Sequence, residues 1–148
     1  MQVLGPLRTF ARLDAASRSF AAVAWVLAPP VGILLRVVGF ERLSPLIGAL
    51  PVSPRRTRGS AVDVERGEAL VGRVFARSLI KPGCLPQSVV QCLVHRLSGR
   101  EVDLVIGVRK PGRVPHEAAE FEAHAWVEER RGEPRDGGHA ELWRSARE

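Results

Sequence analysis

Cys84 and His124 are the two residues whose types and positions could together perform nucleophilic chemistry. Cys84 directly follows Pro82-Gly83 and precedes Pro86, which is well tolerated in the first turn of a helix. This pattern predicts a helix that begins at Cys84, where free N–H groups and the helix dipole favour an anion such as a thiolate. The thiolate is the nucleophilic form of cysteine. On position alone, a buried cysteine that merely begins a helix is the alternative interpretation.

His124 belongs to a segment that alternates as a strand does. In residues 122 to 128, EAHAWVE, strict alternation places His124, Trp126 and Glu128 on one face and small apolar residues on the other. We interpret Trp126 as a packing residue of that face. An imidazole that meets the thiol can accept its proton, and a third group must then orient the ring.

Three acidic residues are candidates for that third group. Asp136 is the best of them, because it lies downstream of His124 and could come from the next strand after a turn at RRGEP. Asp103 is possible, from the preceding strand with undetermined facing. Glu128 shares the strand face of His124 but lies four residues away, roughly 13 Å along a strand, which is too far for a direct bond.

The remaining cysteine and histidines have structural interpretations. Cys92 falls on the apolar stripe formed by Leu85, Val89, Leu93 and Leu97, so we expect a core residue. The spacing of the two cysteines matches no zinc motif, and we expect neither a metal nor a cofactor. We expect His95 at the surface or at a helix end, and His116 and His139 in solvent.

The elements that position these residues predict an α+β fold. One helix begins at about Ser60, which would cap it, with the acidic Asp63 in its first turn, and runs to Lys81. A second helix begins at Cys84 and ends at Gly99. A β-rich run at 101 to 109, a polar loop at 110 to 120 and the alternating segment at 122 to 128 follow. The expected core is a helix carrying the cysteine, packed on a small antiparallel sheet.

The first third of the chain is apolar. Residues 20 to 35 carry no charge between Arg18 and Arg36, a run slightly shorter than the roughly 20 residues that cross a bilayer. Because Pro29-Pro30 interrupts it, we predict two short helices, at about 14 to 28 and 30 to 39, packed on the domain or on a partner. A membrane-associated hairpin is the alternative. Residues 51 to 59 resemble a linker, which divides the chain into an apolar helical arm (1–50), a linker (51–59) and a domain (60–148).

Length and composition indicate one globular domain, or one domain with a short appendage, and an excess of positive charge. The 148 residues are 45% hydrophobic and 26% charged, and 22 Lys+Arg against 16 Asp+Glu give a net charge of +6. The excess permits a nucleic acid, an acidic peptide or a membrane as partner, unless it reflects arginine codons at solvated positions. Low aromatic content, 5% without Tyr, argues against a single-strand nucleic-acid platform. Two cysteines and a start that is unlike a secretory signal favour the cytoplasm.

Three segments together resemble a known family. CLPQSVVQCL at 84–93, LVIGVR at 104–109 and AHAWVE at 123–128 look like the leader peptidases of lasso peptide biosynthesis. The resemblance is to the transglutaminase-like, C-terminal half of the maturation B protein, which is a separate chain in split systems. It covers residues 60 to 140 and implies a transglutaminase-like or papain-like cysteine protease fold. It also implies a triad of Cys84, His124 and Asp136.

The resemblance further implies an activity and its partners. The enzyme would cleave a precursor peptide after its leader, a small separate leader-binding protein would deliver that substrate, and an ATP-dependent cyclase would join the new amine to a side-chain carboxylate. Two features depart from the family. The loop at 110 to 120 lengthens the interval from Cys84 to His124, and the residues around Asp136 are poor in strand formers.

Three functional hypotheses follow, and the first is a cytoplasmic cysteine peptidase that cuts a ribosomally made precursor. The second keeps the triad but transfers the acyl group to an amine, as transglutaminases do. The third is a non-catalytic, Arg-rich adaptor that binds a membrane or a maturation complex through its apolar arm. Nucleic acid is the least favoured partner.

Overall fold

The computed structural model describes residues 13–54, 61–77, 83–109, 122–131 and 139–145. In this part of the chain, four helices precede a three-stranded sheet, so the expected α+β class is confirmed. The elements are α1 (Ala15–Val37), α2 (Phe40–Ala49), α3 (Val64–Phe75), α4 (Cys84–Leu97), β1 (Val102–Arg109), β2 (Glu122–Glu129) and β3 (His139–Arg144).

The sheet is antiparallel, with β1 between β2 and β3. On β1, Gly107 pairs with His124 of β2 on one side and with Glu141 of β3 on the other, next to a register shift between Ile106 and Gly107. Since both outer strands run antiparallel to β1, they begin at the same end of the sheet. The first residues of β2 and β3 therefore lie together, around the end of β1.

Helix α4 is the central helix and packs against α1, α3, β1 and β2. The predicted apolar stripe is only partly correct, because Leu97 is 54% exposed while His95 and Arg96 are fully buried. A helix that contacts neighbours on several sides buries more than one stripe. Its end is as predicted, with Gly99 at φ 86° just after the last turn.

Helix α1 runs without a break through Pro29 and Pro30, so the prediction of two short helices is wrong. Both prolines are exposed. Proline has no N–H, so each one removes a backbone hydrogen bond, and the carbonyls that lose their donor lie on the solvent side of the helix. Water can bond those carbonyls there. The opposite face is buried and is built largely of small residues, namely Ser17, Phe20, Ala21, Ala24, Ala28, Val31 and Gly32. Close packing of this face on α3 and α4 outweighs the local preference of proline.

The outer face of α1 is exposed and apolar. Val26 is 70% exposed, Ile33 58% and Val37 78%, although a soluble helix usually presents polar residues on such a face. By length and composition alone, α1 could cross a membrane, and a third of its most apolar window is buried inside the protein. An open apolar cleft of about 450 Å³ lies between α1, α2 and α4.

Helices α1 and α2 share one hydrophobic core with α3 and α4. The chain after α2 also stays close to this core, because the Ser53 N–H donates to the Arg96 carbonyl at 2.9 Å. The predicted division into arm, linker and domain stays a prediction. Residues 55–60 of that linker lie outside the described residues.

Candidate active site

Cys84 is the first residue of α4, as the sequence predicts, and its side chain is exposed. The residue before it, Gly83, is extended at φ −108° and has no side chain to cap the helix. Within the described residues, no side chain therefore caps this helix start. The first N–H groups of an α-helix have no partner inside the helix, and at the start of α4 they belong to the same turn as the thiol.

The start of α4 lies along the edge of β2 that faces away from β1. The Cys84 thiol approaches the Ala123 carbonyl, with 4.0 Å between Sγ and O, and the Ser88 hydroxyl donates to the Ala125 carbonyl at 2.8 Å. In an outer strand, every second residue directs its carbonyl away from the neighbouring strand. Ala123 and Ala125 are two residues apart and both direct their carbonyls to α4. Two successive contacts thus bring Cys84 to the residue that precedes His124.

His124 lies in an aromatic cluster with Trp126 and His139. The rings of His124 and Trp126 are nearly parallel, at 16°, with centroids 6.0 Å apart. The His139 ring lies 5.5 Å from His124 and 5.8 Å from Trp126. The expectation that His139 is solvated is wrong, because it is the first residue of β3 and is half-buried. Its position could have been anticipated from the strand-like sequence HAELWR, but its distance from His124 depends on the sheet order.

Gly107 makes room for this cluster on the central strand. A Cβ atom at this position would lie 2.7 Å from Cη2 of Trp126 and 2.9 Å from the Ala140 carbonyl oxygen. Real side chains essentially never approach so closely. The indole therefore lies against β1 only because residue 107 is glycine.

Glu128 does not contact His124, in agreement with the sequence argument, but it is tightly bound elsewhere. Its carboxylate is buried and accepts from Trp126 Nε1 at 2.7 Å and from Arg144 at 2.6 Å. Arg144 also binds Glu141 at 2.8 Å. These hydrogen bonds, that to Glu141 foremost, raise the pKa of Arg144 above its usual range and keep the guanidinium charged.

Asp103 is not close to His124. It pairs in register with Glu128, whereas His124 pairs with Gly107, four residues further along β1. That interval is roughly 13 Å along a strand. The Asp103 carboxylate is also occupied, by Arg130 at 2.9 Å and Arg96 at 3.4 Å. Asp103 is therefore a structural residue, and Asp136 lies outside the described residues.

Two further titratable residues of α4 are buried away from this site. Cys92 is a core residue, as predicted, and burial raises the pKa of its thiol to about 11. His95 lies in the last turn of α4, the helix-terminal position that the sequence allowed, but it is fully buried against Phe20, with ring centroids 4.8 Å apart, so the alternative of a surface position is wrong. Burial, followed by the charge of Arg100, lowers the pKa of His95 to about 4. In the described ranges, no three His, Cys, Asp or Glu residues group as a metal site would need.

A cysteine at a helix start beside a strand histidine is the layout of thiol enzymes that combine a helix with an antiparallel sheet. Residues 26–145 match the Transglutaminase-like superfamily, and the chain belongs to this superfamily. The match covers the second half of α1 and all of α2 to β3, and the superfamily generally comprises cysteine proteases and acyltransferases. No curated protein and no solved structure matches the chain.

Proposed function

We propose that this protein is a cysteine peptidase that removes the leader from the precursor of a lasso peptide. The observation that carries the proposal is the position of Cys84, exposed at the start of α4 with its Sγ 4.0 Å from the carbonyl of the residue before His124. The resemblance of three sequence segments to lasso leader peptidases supports the choice of substrate.

In the first step, the Cys84 thiolate attacks the carbonyl carbon of the scissile peptide bond, after His124 has accepted the thiol proton. The C–N bond then breaks, and His124 returns that proton to the departing amine, which is the new N-terminus of the core peptide. The leader remains on Cys84 as a thioester. The N–H groups of Cys84 and Leu85, in the first turn of α4, have no acceptor within the helix and support stabilisation of the oxyanion in this step, with the Cys84 N–H as the first donor.

In the second step, water attacks the thioester while His124 accepts one of its protons. The C–S bond breaks, the leader leaves as a carboxylic acid, and Cys84 is regenerated as a thiol. An amine in place of water would give the acyl transfer of transglutaminases. The two reactions share the thioester and differ only in its acceptor.

Asp136 is proposed to orient His124. It lies three residues before His139, a stretch that can span at most roughly 11 Å. The His139 ring is 5.5 Å from the His124 ring, so the chain enters β3 at the end of the sheet where an orienting carboxylate is needed. A carboxylate there would hold the tautomer of His124 that can accept the thiol proton.

The proposed partners follow from the family resemblance. They are the precursor peptide, a separate leader-binding protein that delivers it, and an ATP-dependent cyclase that uses the released amine. The proposed compartment is the cytoplasm. The exposed apolar face of α1 supports a protein that works beside a partner, because isolated soluble domains seldom leave so large a face uncovered.

The test is cleavage of the precursor by the full chain together with its leader-binding protein, followed by mass spectrometry. We expect the wild type to release leader and core with the mass of one water added across the bond. We expect Cys84→Ala and His124→Ala to release neither, whereas Cys92→Ala retains cleavage because that thiol is buried in the core.

Each of the other outcomes contradicts the proposal in a different way. Release of the leader by Cys84→Ala would exclude a Cys84 nucleophile. A product that has gained an amine, with no gain of water, would identify an acyltransferase. An intact precursor with the wild type, under conditions where the leader-binding protein binds both chains, would favour the adaptor hypothesis.

A further inference from the structure

A buried carboxylate, Glu128, lies on the same strand face as His124 but has no part in the proposed reaction steps. Its side chain is only 4% exposed, and a buried charge is costly unless it is paired and hydrogen-bonded. Trp126 Nε1–H donates to one carboxylate oxygen and Arg144 donates to the other. One consequence is that the polar edge of the indole has a fixed partner.

The opposite edge of the indole is fixed by the central strand. Its six-membered ring lies over Gly107, at a distance where even a methyl group on that residue would meet Cη2 at 2.7 Å. Gly107 is the register partner of His124. We call the set Gly107, Trp126, Glu128 and Arg144 the indole clamp.

Within the indole clamp, the ring of Trp126 lies beside the imidazole of His124. The two ring planes differ by 16°, and the 6.0 Å between centroids lies within the 4.5–7 Å range of interacting aromatic pairs. His139 occupies another side of the imidazole at 5.5 Å. The His124 side chain is exposed, and these two neighbouring rings, one of them held by the indole clamp, leave its imidazole fewer orientations than it would have on a bare strand.

We propose that Glu128 is a positioning residue for His124 and acts through the Nε1–H of Trp126. Its effect on rate rests on the proposed function, since a proton acceptor displaced by about 1 Å can lose on the order of 100-fold in rate. Its effect on the orientation of the His124 ring does not depend on that function. The two effects can therefore be tested separately.

The first test is a double-mutant cycle on leader cleavage with Glu128→Ala, Trp126→Phe and the double variant. Phenylalanine keeps a ring but has no N–H for Glu128 to hold. We expect each single variant to lower kcat about tenfold or more with KM little changed, and the double variant to be no slower than Trp126→Phe alone. Glu129→Ala is the matched control, because Glu129 is the adjacent acid, is 45% exposed and binds Arg100 instead.

The second test needs no activity and uses the proton NMR signal of the His124 ring. In the wild type, we expect the neighbouring indole to shift this signal by its ring current. We expect the shift to move towards the value of a free histidine in Glu128→Ala, to be retained in Glu129→Ala, and to be largely restored in Glu128→Gln. The glutamine carbonyl can still accept the indole N–H, and Glu128→Gln also serves if the alanine variant does not fold.

The outcomes separate the two proposals. An unchanged His124 signal in Glu128→Ala overturns the positioning role, whatever the enzyme does. Equal losses of kcat from Glu128→Ala in the wild-type and Trp126→Phe backgrounds also overturn it, because Glu128 would then act without the indole. A wild type that cleaves nothing but shows the expected signal changes would overturn the proposed function alone.

Discussion

At the scale of residues, the two cysteines of this chain have opposite surroundings. Cys84 is exposed at the start of α4, near a backbone carbonyl and the strand of His124. Cys92, two turns along the same helix, is buried, and burial raises the pKa of its thiol to about 11. A thiol with so high a pKa is not a nucleophile near neutral pH. Any thiol chemistry of the protein therefore belongs to Cys84.

His95 is the described residue whose burial is hardest to explain from its chemistry. Neither of its ring nitrogens has a hydrogen-bond partner among the described residues, and its ring packs against Phe20. Gly67 approaches it so closely that a Cβ there would lie 2.5 Å from Nε2. The imidazole thus fills space between α1, α3 and α4 as an uncharged ring. The charged groups that influence it are Arg100, which disfavours its protonation, and Asp63, which favours it.

His95 makes stability depend on pH in a direction that can be predicted. Its pKa is about 4 in the folded protein and 6.5 when unperturbed. Between these values the unfolded chain binds more protons, so stability is fully present above about pH 6.5 and is lost as pH falls towards 4. At pH 5 the expected loss relative to pH 7 is about 2 kcal/mol.

Urea unfolding at pH 7 and pH 5 measures this contribution. We expect the free energy of unfolding of the wild type to fall more between these pH values than that of His95→Leu, by about 2 kcal/mol. Equal falls in the two proteins would show that His95 binds a proton as readily in the folded state as in the unfolded chain.

At the scale of elements, the local sequence pattern was sufficient to predict a helix or strand where buried residues recur at the regular spacing of that element. The alternation of EAHAWVE predicted β2, and Gly99 marked the end of α4. The start of α3 was less well predicted, because Asp63 caps it through the Arg66 N–H at 2.7 Å, where the sequence had favoured Ser60 as the cap. Both residue types are good caps, so local chemistry could not choose between them.

The sequence pattern gave wrong predictions where packing between elements decides whether a helix continues or a side chain is buried. Pro29-Pro30 predicts a break, yet α1 continues because its small residues pack closely on α3 and α4. His95 and Arg96 look like surface residues at the end of a helix, but α1, α2 and the sheet cover them. Neither result can be read from one helix alone, since both depend on which neighbours approach it.

Arg96 joins several elements through one buried guanidinium. It donates to the carbonyls of Ile47 at 2.7 Å and Val102 at 3.0 Å, and to the Ser145 hydroxyl at 3.0 Å. It also faces Asp103 at 3.4 Å. These contacts tie α4 to the end of α2, to β1 and to the chain just after β3.

Replacement of Arg96 should destabilise the whole domain. We expect Arg96→Met to lower the free energy of unfolding by about 3 to 5 kcal/mol, because buried carbonyls and the Asp103 charge lose a partner. Arg73→Met is the matched control on an exposed position of α3 and should change stability by less than about 0.5 kcal/mol. Urea denaturation gives both values. A loss below about 1 kcal/mol for Arg96→Met would show that the buried hydrogen bonds are easily replaced.

At the scale of the whole molecule, the sequence predicted the proposed nucleophile and its histidine but not the residues that surround the histidine. Cys84 and His124 follow from a helix start and a strand period. The indole clamp and His139 require the order β2-β1-β3 and the register across it, which join residues far apart in the chain. The need for glycine at position 107 could not be predicted from the sequence, because it arises only where the Trp126 ring lies across this residue.

The whole molecule also has an uneven surface. The outer face of α1 is apolar, although the chain carries a net charge of +6. Arg18 and Arg36 are exposed towards the two ends of that helix. The surface therefore combines an exposed apolar face with a positive overall charge.

The central claim is that Cys84 and His124 form a working thiol–imidazole pair, and alkylation of the two cysteines by iodoacetamide at pH 7 tests it most directly. An ordinary thiol is only a few per cent thiolate at this pH, so we expect Cys84 to be alkylated about tenfold or more faster than a free thiol. Buried Cys92 should stay unmodified in the folded protein, and His124→Ala should slow the reaction of Cys84. Alkylation of Cys84 at the rate of a free thiol, unchanged in His124→Ala, would contradict the claim.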